Sequence, residues 1–292
     1  MDKIALAKKE QRKAVFLETA HKAHLEPHIV EKDFWVSWAL GKIFADANLN
    51  KILCFKGGTS LSKIFGLIER FSEDIDLILA QSTVIKEDEE LYKSSNSKQA
   101  AFNTVIEGRA GLFISGELKE MIRKVISPVC QIEEDETDKH VLHIIFSRLF
   151  DYGYIQPIIK LEIGPLALWN PHEQYQIDSF VGKYLPELEL SKPIITTIKP
   201  ERTFWEKITI LHHEAHRPIG SAVPVRYSRH YYDIYKMGHT YVKTEALQNL
   251  DILKEVILFK KRFYPRGWAK YDEAVPGTMK LIPSSANIKV LE

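Results

Sequence analysis

Two aspartates separated by one residue are the part of this sequence best suited to chemistry. Asp74 and Asp76 lie in the alternating run from Ser72 to Leu79, and its period of two predicts a strand with both carboxylates on one face. Two carboxylates that close repel each other unless a cation lies between them. Mg²⁺ or Mn²⁺ is the expected partner, because such ions prefer oxygen ligands and can also bind phosphate oxygens.

A glycine pair precedes these aspartates. Gly57 and Gly58 follow a short apolar run that predicts a strand, while Thr59 and Ser60 add hydroxyls at the start of a helix predicted over 60–70. Glycine allows close approach of the backbone to a ligand, and a helix start offers unpaired N–H groups, so phosphate is the expected ligand. The predicted helix is about as long as a strand, which would return the aspartates to the glycines.

The elements that must position these residues follow a mixed pattern. Apolar spacing predicts helices over 2–45 and, after the polar segment 86–98, further helices to about residue 124. It then predicts strands over 130–132, 141–150 and 154–163. From residue 197 onward it predicts helices. The first part of the chain mixes strands with helices, and the last part has helices alone. This order indicates an α/β sheet domain followed by a helical domain. We place the first over residues 1–190 and the second, contributing nucleotide and acceptor contacts, over residues 191–292.

Composition limits the possible functions of the chain. Its 292 residues are 45% apolar and 27% charged, as in ordinary globular proteins. Lys and Arg number 40 against 39 Asp and Glu, which excludes a uniformly basic protein held to nucleic acid by bulk charge. Residues 191–292 nevertheless hold 17 Lys or Arg and 10 Asp or Glu. That excess suits a polyanion partner, and chance partition of solvated charges explains it equally well.

The cellular setting is inferred from what the sequence lacks. Two cysteines, without metal-ligand spacing, suit a reducing cytosol rather than a disulfide framework. The first residues alternate apolar and charged types, unlike a signal peptide, and no apolar run is long enough to span a membrane. We therefore expect a soluble, cytoplasmic protein with no membrane partner.

The stretch from Lys56 to Leu77, which reads KGGTSLSKIFGLIERFSEDIDL, resembles the AbiEii/AbiGii family of nucleotidyltransferase toxins. These enzymes belong to the polymerase-β-like nucleotidyltransferase superfamily, whose signature is a glycine pair with a hydroxyl residue followed by an Asp-x-Asp strand. Weaker resemblance extends to residues 29–35, 203–207 and 229–236. The resemblance implies a mixed sheet flanked by helices with a helical C-terminal domain.

The resemblance also implies an activity. It predicts a Mg²⁺-dependent enzyme that moves NMP from an NTP to an acceptor hydroxyl, with the 3′ end of tRNA as the acceptor. The cellular role would be that of a toxin in a toxin–antitoxin pair linked to abortive infection, with a separate antitoxin protein as partner. On this reading Asp74 and Asp76 hold the metal, and Gly57, Gly58 and Ser60 contact phosphate together with Thr59.

Three further residues match positions of this family. The superfamily usually adds a third carboxylate, for which Glu162 is the best match as metal ligand or base, although Lys160 and Glu162 could instead form a solvated strand face. Lys207 falls inside the apolar stripe of its predicted helix and so needs an anion or a route to solvent; the resemblance implies that it binds nucleotide phosphate. Asp233 matches an aspartate implicated in activity, with a surface ion pair to Arg229 as the alternative.

A basic, aromatic stretch near the carboxy terminus is the expected site for acceptor RNA. Lys260, Lys261, Arg262 and Arg266 alternate with aromatic rings, and we add Arg229 to this group. Cations interleaved with rings suit single-stranded RNA, which exposes both phosphates and bases. A solvated helix end is the alternative.

Other functions remain open at this stage. His212 and His216 stand four residues apart, but the spacing around them differs from that of a zinc protease. The glycine pair also lacks the spacing of a nucleoside-triphosphatase P-loop. The remaining alternatives are NMP transfer to a protein or small-molecule hydroxyl, and a non-catalytic module that binds nucleotide or RNA.

Overall fold

A computed structural model describes the chain except at residues 71, 73, 152, 154–157, 223, 286–287 and 289–292. Two residues of the signature stretch, at 71 and 73, therefore lie outside the described residues. The start of the strand predicted over 154–163 also lies outside the described residues, as does the end of the domain predicted over residues 191–292.

The described residues form one seven-stranded mixed sheet in the order β3-β4-β5-β2-β1-β7-β6. The strands are β1 Leu53–Lys56, β2 Ile75–Leu79, β3 Gln131–Glu134, β4 Val141–Ile145, β5 Ile158–Gly164, β6 His172–Gln176 and β7 Ile194–Ile198. Strand β2 pairs with β1 in antiparallel and with β5 in parallel orientation. The two strands nearest the glycine pair and the aspartates are thus at the centre of the sheet.

Helices precede, cover and follow this sheet. They are α1 Asp2–Ala5, α2 Lys9–Ala23, α3 Pro27–Ala45, α4 Ala47–Ile52, α5 Gly57–Lys63, α6 Asn96–Phe113, α7 Lys119–Ile126, α8 Phe180–Tyr184, α9 Pro200–Ala215, α10 Ser228–Gly238, α11 Tyr241–Gln248 and α12 Leu250–Phe263. A π-helical turn, Ile114–Leu118, joins α6 to α7.

Two apolar clusters hold the elements together. The larger one packs α3 and the α6–α7 pair with the central strands, and includes Phe34, Trp35 and Phe55. The second packs the residues that follow α5 against α9, α11 and α12, and includes Leu67 and Trp205. Burial of such side chains is the main stabilising contribution to folding. The second cluster fixes the C-terminal helices beside the glycine pair.

Several predicted bounds need correction. The helix predicted over 60–70 instead begins at Gly57 and ends at Lys63, because Gly66 takes a left-handed conformation with φ of 61° that stops a right-handed helix. The predicted strand over 141–150 ends at Ile145. The helical region predicted from Thr197 begins at Pro200, since Thr197 belongs to strand β7.

The division of the chain into residues 1–190 and 191–292 stays a prediction. Strand β7 lies beyond that boundary and pairs with β1 and β6 in the sheet. The helices that follow the sheet begin at Pro200, where proline occupies the first turn of α9.

Candidate active site

A row of charged side chains crosses the centre of the sheet. Asp76 on β2 is directly opposite Lys56 on β1 and Glu162 on β5. Residues in register on neighbouring strands project from the same face. The strand predicted over 72–79 begins at Ile75, so Asp74 lies just before β2, and its charge acts on Asp76. The sheet therefore gathers one cation and three carboxylates in a small region.

The glycine pair lies against this row. Gly57 has a φ of 82°, and a side-chain carbon there would fall 1.9 Å from Oδ2 of Asp76. Glycine is required at this position on both grounds, since an L side chain would be strained and would collide with the carboxylate. A side-chain carbon added at Gly58 would fall 2.7 Å from Nη2 of Arg70. The absence of side chains thus allows two charged groups to approach the backbone.

The hydroxyls beside the glycines bond within the chain. Thr59 is fully buried, and its hydroxyl donates to the carbonyl oxygen of Asp74 and lies 2.9 Å from the hydroxyl of Ser72. Ser60 donates to the carbonyl oxygen of Gly57 at 2.8 Å. These two hydroxyls secure the glycine turn and the approach to Asp74. Their predicted contact with phosphate stays a prediction, and the backbone of the glycines is the part that reaches the cavity.

Asp76 has an unusual proton affinity. Burial raises the pKa of Asp76 to about 6. The charge of Lys56 opposes this rise, while the carboxylate of Glu162 adds to it. Asp76 is half-buried beside other carboxylates, and a cation bound there would reduce their mutual repulsion.

A buried ion-pair bridge joins three parts of the chain. Asp233 on α10 is fully buried and accepts from Arg70 Nε at 2.7 Å and Nη2 at 2.8 Å. Lys207 Nζ on α9 lies 2.9 Å from the same carboxylate. Although burial opposes ionisation, the bond from Arg70 and the charge of Lys207 lower the pKa of Asp233. The alternative of a solvated surface pair for Asp233 is therefore wrong.

These residues meet in one cavity of about 340 Å³, which we call the active-site cavity. The sequence-predicted residues that line it are Gly57, Gly58, Asp74, Asp76, Glu162, Lys207 and Arg229. They come from distant parts of the sequence, and the sheet and α9 bring them together. Asp233 sits behind this lining and contacts it through Lys207 and Arg70.

Comparison with known proteins shows the family of the chain. The sequence profile of the family described as "Nucleotidyl transferase AbiEii toxin, Type IV TA system" matches residues 38–287. The chain belongs to this family. Its members are nucleotidyltransferase toxins, so the enzyme class predicted from the signature stretch is confirmed.

Two solved structures are similar to this chain. MenT4, a nucleotidyltransferase toxin from Mycobacterium tuberculosis H37Rv, matches 94% of this chain and 85% of its own with a TM-score of 0.50 at 14% identity. The predicted mixed sheet with flanking helices is confirmed by that likeness. JHP933 from Helicobacter pylori matches 90% of this chain and 88% of its own, with a TM-score of 0.38 at 17% identity. No curated protein matches the chain.

The donors in this AbiEii-family site fit a divalent cation. The carboxylate of Asp76 accepts no hydrogen bond from the described part of the chain, and other carboxylates are close to it. Glu162 accepts from Lys160 Nζ at 2.6 Å, which leaves its role as third ligand a prediction. Within the described ranges no three acidic, His or Cys side chains form a metal-holding group on their own. Asp74 and Asp76 therefore fit an ion that takes its other ligands from phosphate and water.

The predicted RNA-binding cations separate into three places. Lys261, Arg262 and Arg266 line a cavity of about 520 Å³ at the end of α12, together with Lys270; we call it the outer cationic cavity. Lys260 points elsewhere and donates to the carbonyl oxygen of Glu206 at 2.9 Å, and burial lowers its pKa to about 7. Arg229 lines the active-site cavity.

Several residues of the site could not be assigned a role from the sequence. Arg70 was part of the signature stretch but received no role, and Lys56 was treated as the end of a strand. Glu206 and His230 also line the active-site cavity, and burial together with the charge of Lys207 lowers the pKa of His230 to about 3. The position of Lys56 next to the glycines was the available signal for its role. His230 gave none, because its place depends on how α10 packs.

Among the described residues, no helix is both long enough and apolar enough to cross a membrane.

Proposed function

We propose that this enzyme transfers NMP from an NTP to the 3′ end of tRNA, with Mg²⁺ or Mn²⁺ as cofactor. We further propose that it acts as the toxin of a pair with a separate antitoxin protein, consistent with the description of its family as a toxin–antitoxin system. The observation that carries the proposal is the meeting of the glycine pair, both aspartates and Lys207 in the active-site cavity.

The proposed step is a displacement at phosphorus. The acceptor hydroxyl oxygen forms a bond to the α-phosphorus, the bond from that phosphorus to the β-bridging oxygen breaks, and pyrophosphate leaves with the bonding electrons. The hydroxyl proton passes to a carboxylate of the site, for which Glu162 is the candidate base. A divalent cation held by Asp74 and Asp76 would activate the attacking oxygen and neutralise the leaving group.

The protein's own residues bind and orient the nucleotide. Gly57 and Gly58 let the backbone approach the phosphates closely. Lys207 keeps ammonium protons available while it bonds to Asp233, because an ammonium group has three donors. The Asp233 bridge holds Lys207 in one orientation, so little side-chain entropy is lost when phosphate binds.

The outer cationic cavity supports RNA as the acceptor. Lys261, Arg262 and Lys270 line it, together with the ring of Tyr271. Lys261 Nζ is 2.5 Å from Asp272 Oδ1, so part of its charge is already compensated. A single-stranded 3′ end exposes the phosphates and bases that cations and rings bind.

The direct experiment incubates the purified protein with each α-labelled NTP, Mg²⁺ and total RNA, and separates the products by size. We expect label in tRNA, dependent on Mg²⁺. The variant Asp76→Asn keeps the side-chain shape but loses the charge, and it should abolish labelling. Asp251→Asn is the matched control, because Asp251 is an exposed residue at the start of α12 and its loss should leave transfer unchanged.

Other results would change the proposal. Label in protein or in a small molecule, with none in tRNA, would keep the transferase and replace the acceptor. Binding of NTP without label in any acceptor would favour the non-catalytic module. Full labelling by Asp76→Asn would remove that carboxylate from the mechanism.

A further inference from the structure

A second cavity, of about 260 Å³, adjoins the active-site cavity. The two have lining residues in common, namely Lys56, Glu206, Ile210 and Tyr227. We call the second one the aromatic cavity. The two cavities are therefore neighbours, and these four side chains lie between or beside them.

Aromatic side chains form much of its wall. Tyr227, Phe259, Tyr264 and Tyr271 contribute rings, and Leu166 and Val256 add further apolar surface. Aromatic walls favour a flat occupant that can stack against them. The volume is at the small end of the range for ligand pockets, so it suits one base with its sugar rather than a length of strand.

His213 in this wall has a polar atom without a hydrogen-bond partner among the described residues. His213 lines the cavity and is only 7% exposed. Its Nε2 lies 2.8 Å from Oε1 of Glu214, whereas its Nδ1 is buried and has no hydrogen-bond partner. A buried polar atom left unpaired costs free energy, so this nitrogen is a candidate contact for a ligand.

The protonation of Glu214 determines what His213 offers. Although burial opposes ionisation, hydrogen bonds from Arg217 and His213 lower the pKa of Glu214 to about 2. An ionised carboxylate only accepts hydrogen bonds, so Nε2 carries the imidazole proton and Nδ1 carries a lone pair. His213, a lining residue of the cavity, therefore has an acceptor that no group in the described part of the chain uses, and an amino or ring N–H group of a base is the matching donor.

Arg266 supplies the opposite capacity. It is an exposed residue that lines both the aromatic and the outer cationic cavity. Its guanidinium carbon lies 5.9 Å from the centre of the Trp268 ring. A guanidinium group is a planar donor that can bond to two acceptors on a base edge. An acceptor and a donor at one cavity can distinguish bases by their hydrogen-bonding edges.

We infer that the aromatic cavity receives the nucleobase of the incoming NTP, and that His213 and Arg266 determine which base is preferred. The inference rests on the proposed function for the position of the triphosphate, near Lys207 and the glycine pair. Because the aromatic cavity adjoins that position, its tyrosine rings are the nearest aromatic surface for the base.

The test measures equilibrium binding of four non-hydrolysable NTP analogues by calorimetry, in the presence of Mg²⁺. We expect wild-type protein to bind one analogue at least tenfold more tightly than the weakest. His213→Phe keeps a ring but removes the acceptor, and Arg266→Gln removes the planar cation at an exposed position. Each substitution should weaken binding of the preferred analogue most. The affinities of the four analogues should then lie within about threefold of one another.

Controls separate recognition from folding. Arg123→Gln removes one exposed arginine on α7 and should leave the four affinities unchanged. His213→Asn places a carbonyl oxygen near the position of Nδ1 and should restore part of the preference. Thermal unfolding of each variant shows whether the chain is intact, and Arg266→Gln decides the outcome if His213→Phe does not fold.

The possible results are distinct. Equal affinities of wild-type protein for all four analogues, or an unchanged preference in folded His213→Phe and Arg266→Gln, would overturn the inference. So would an unchanged NTP preference together with weaker RNA binding, which would assign the cavity to the acceptor. Base-selective NTP binding without transfer to any RNA would preserve this inference and contradict the proposed function instead.

Discussion

Gly57 is held in a conformation that no other residue could take without strain. Its positive φ and its approach to Asp76 both follow from the folded chain, whereas the sequence showed only that glycine would allow a close approach. The glycine pair and the two aspartates could be predicted because their spacing encodes a turn and a strand. The bridge from Arg70 to Asp233 could not, because it joins residues 163 positions apart.

Gly57→Ala tests the first of these contacts. The added carbon would fall 1.9 Å from the Asp76 carboxylate, so the aspartate or the turn must move. We expect transfer to fall about a hundredfold, the usual effect of displacing a reacting group by roughly 1 Å. Gly108→Ala, in the open on helix α6, should retain full activity and gain up to about 1 kcal/mol of stability. Comparable activity of the two variants would contradict this assignment.

Asp233→Asn tests the buried bridge. The amide keeps the shape but leaves Arg70 and Lys207 without a shared counter-charge. Removal of one partner from a buried ion pair costs about 3–5 kcal/mol, and Lys207 should also lose its fixed orientation. We expect a lower denaturation midpoint and a raised KM for NTP, with a smaller effect on kcat.

A double-mutant cycle with Lys207→Gln distinguishes positioning from a merely structural role. If Asp233 acts through Lys207, the two substitutions together should raise KM little more than Lys207→Gln alone. Additive effects on KM would show that Asp233 acts independently. Asp251→Asn again provides the exposed control.

At the scale of elements, helix α9 carries Lys207 of the active-site cavity and His213 of the aromatic cavity. Its start was predictable from Pro200 and its apolar stripe predicted a buried Lys207. Strand β6 was missed because its five residues are mostly polar and exposed, so they lack the alternation that marks a half-buried strand. The residues after α5 keep helical spacing but pack as an irregular segment, since Gly66 ends the helix.

The C-terminal tail is fastened to α9 by His212. Its Nε2 lies 3.0 Å from the carbonyl oxygen of Lys270, and its Nδ1 accepts from the backbone N–H of Lys280 at 3.1 Å. This arrangement requires a neutral ring. Burial lowers the pKa of His212, and the neighbouring His216 lowers it further, whereas the bond to Lys270 opposes the shift.

A pH dependence follows from this lowered pKa. The unfolded chain binds the proton first, so stability falls as pH drops below the ordinary histidine value of about 6.5. Protonation would turn Nδ1 of His212 into a donor that faces the N–H donor of Lys280. That hydrogen bond would be lost, and the tail would be released. We expect hydrogen exchange at the Lys280 amide, corrected for intrinsic rate, to accelerate between pH 7 and pH 5. Unchanged protection over that range would contradict the role of His212.

Over the whole molecule, the division of charge along the sequence matches the positions of the cavities. The first 190 residues are net acidic and contain the metal-binding candidates, whereas residues 191–292 are net basic and contain the outer cationic cavity. Arg266 and Tyr271 line both that cavity and the aromatic cavity. The sequence predicted the charge division, but the order of the cavities depends on how the C-terminal helices pack on the sheet.

Salt dependence tests the outer cavity as an RNA contact. Each phosphate neutralised on a single strand contributes a slope of about −0.7 to log K against log salt. We expect Arg262→Gln to reduce the magnitude of the measured slope for tRNA by about that amount. Arg123→Gln, far along the chain on α7, should leave the slope unchanged; equal slopes in all three proteins would place the RNA elsewhere.

The most direct test is a crystal structure with Mn²⁺ and a non-hydrolysable NTP, in which anomalous scattering locates the ion. We predict Mn²⁺ bound by the carboxylates of Asp74 and Asp76, with the triphosphate between the glycine pair and Lys207. An ion bound away from both aspartates, or a triphosphate outside the active-site cavity, would contradict it.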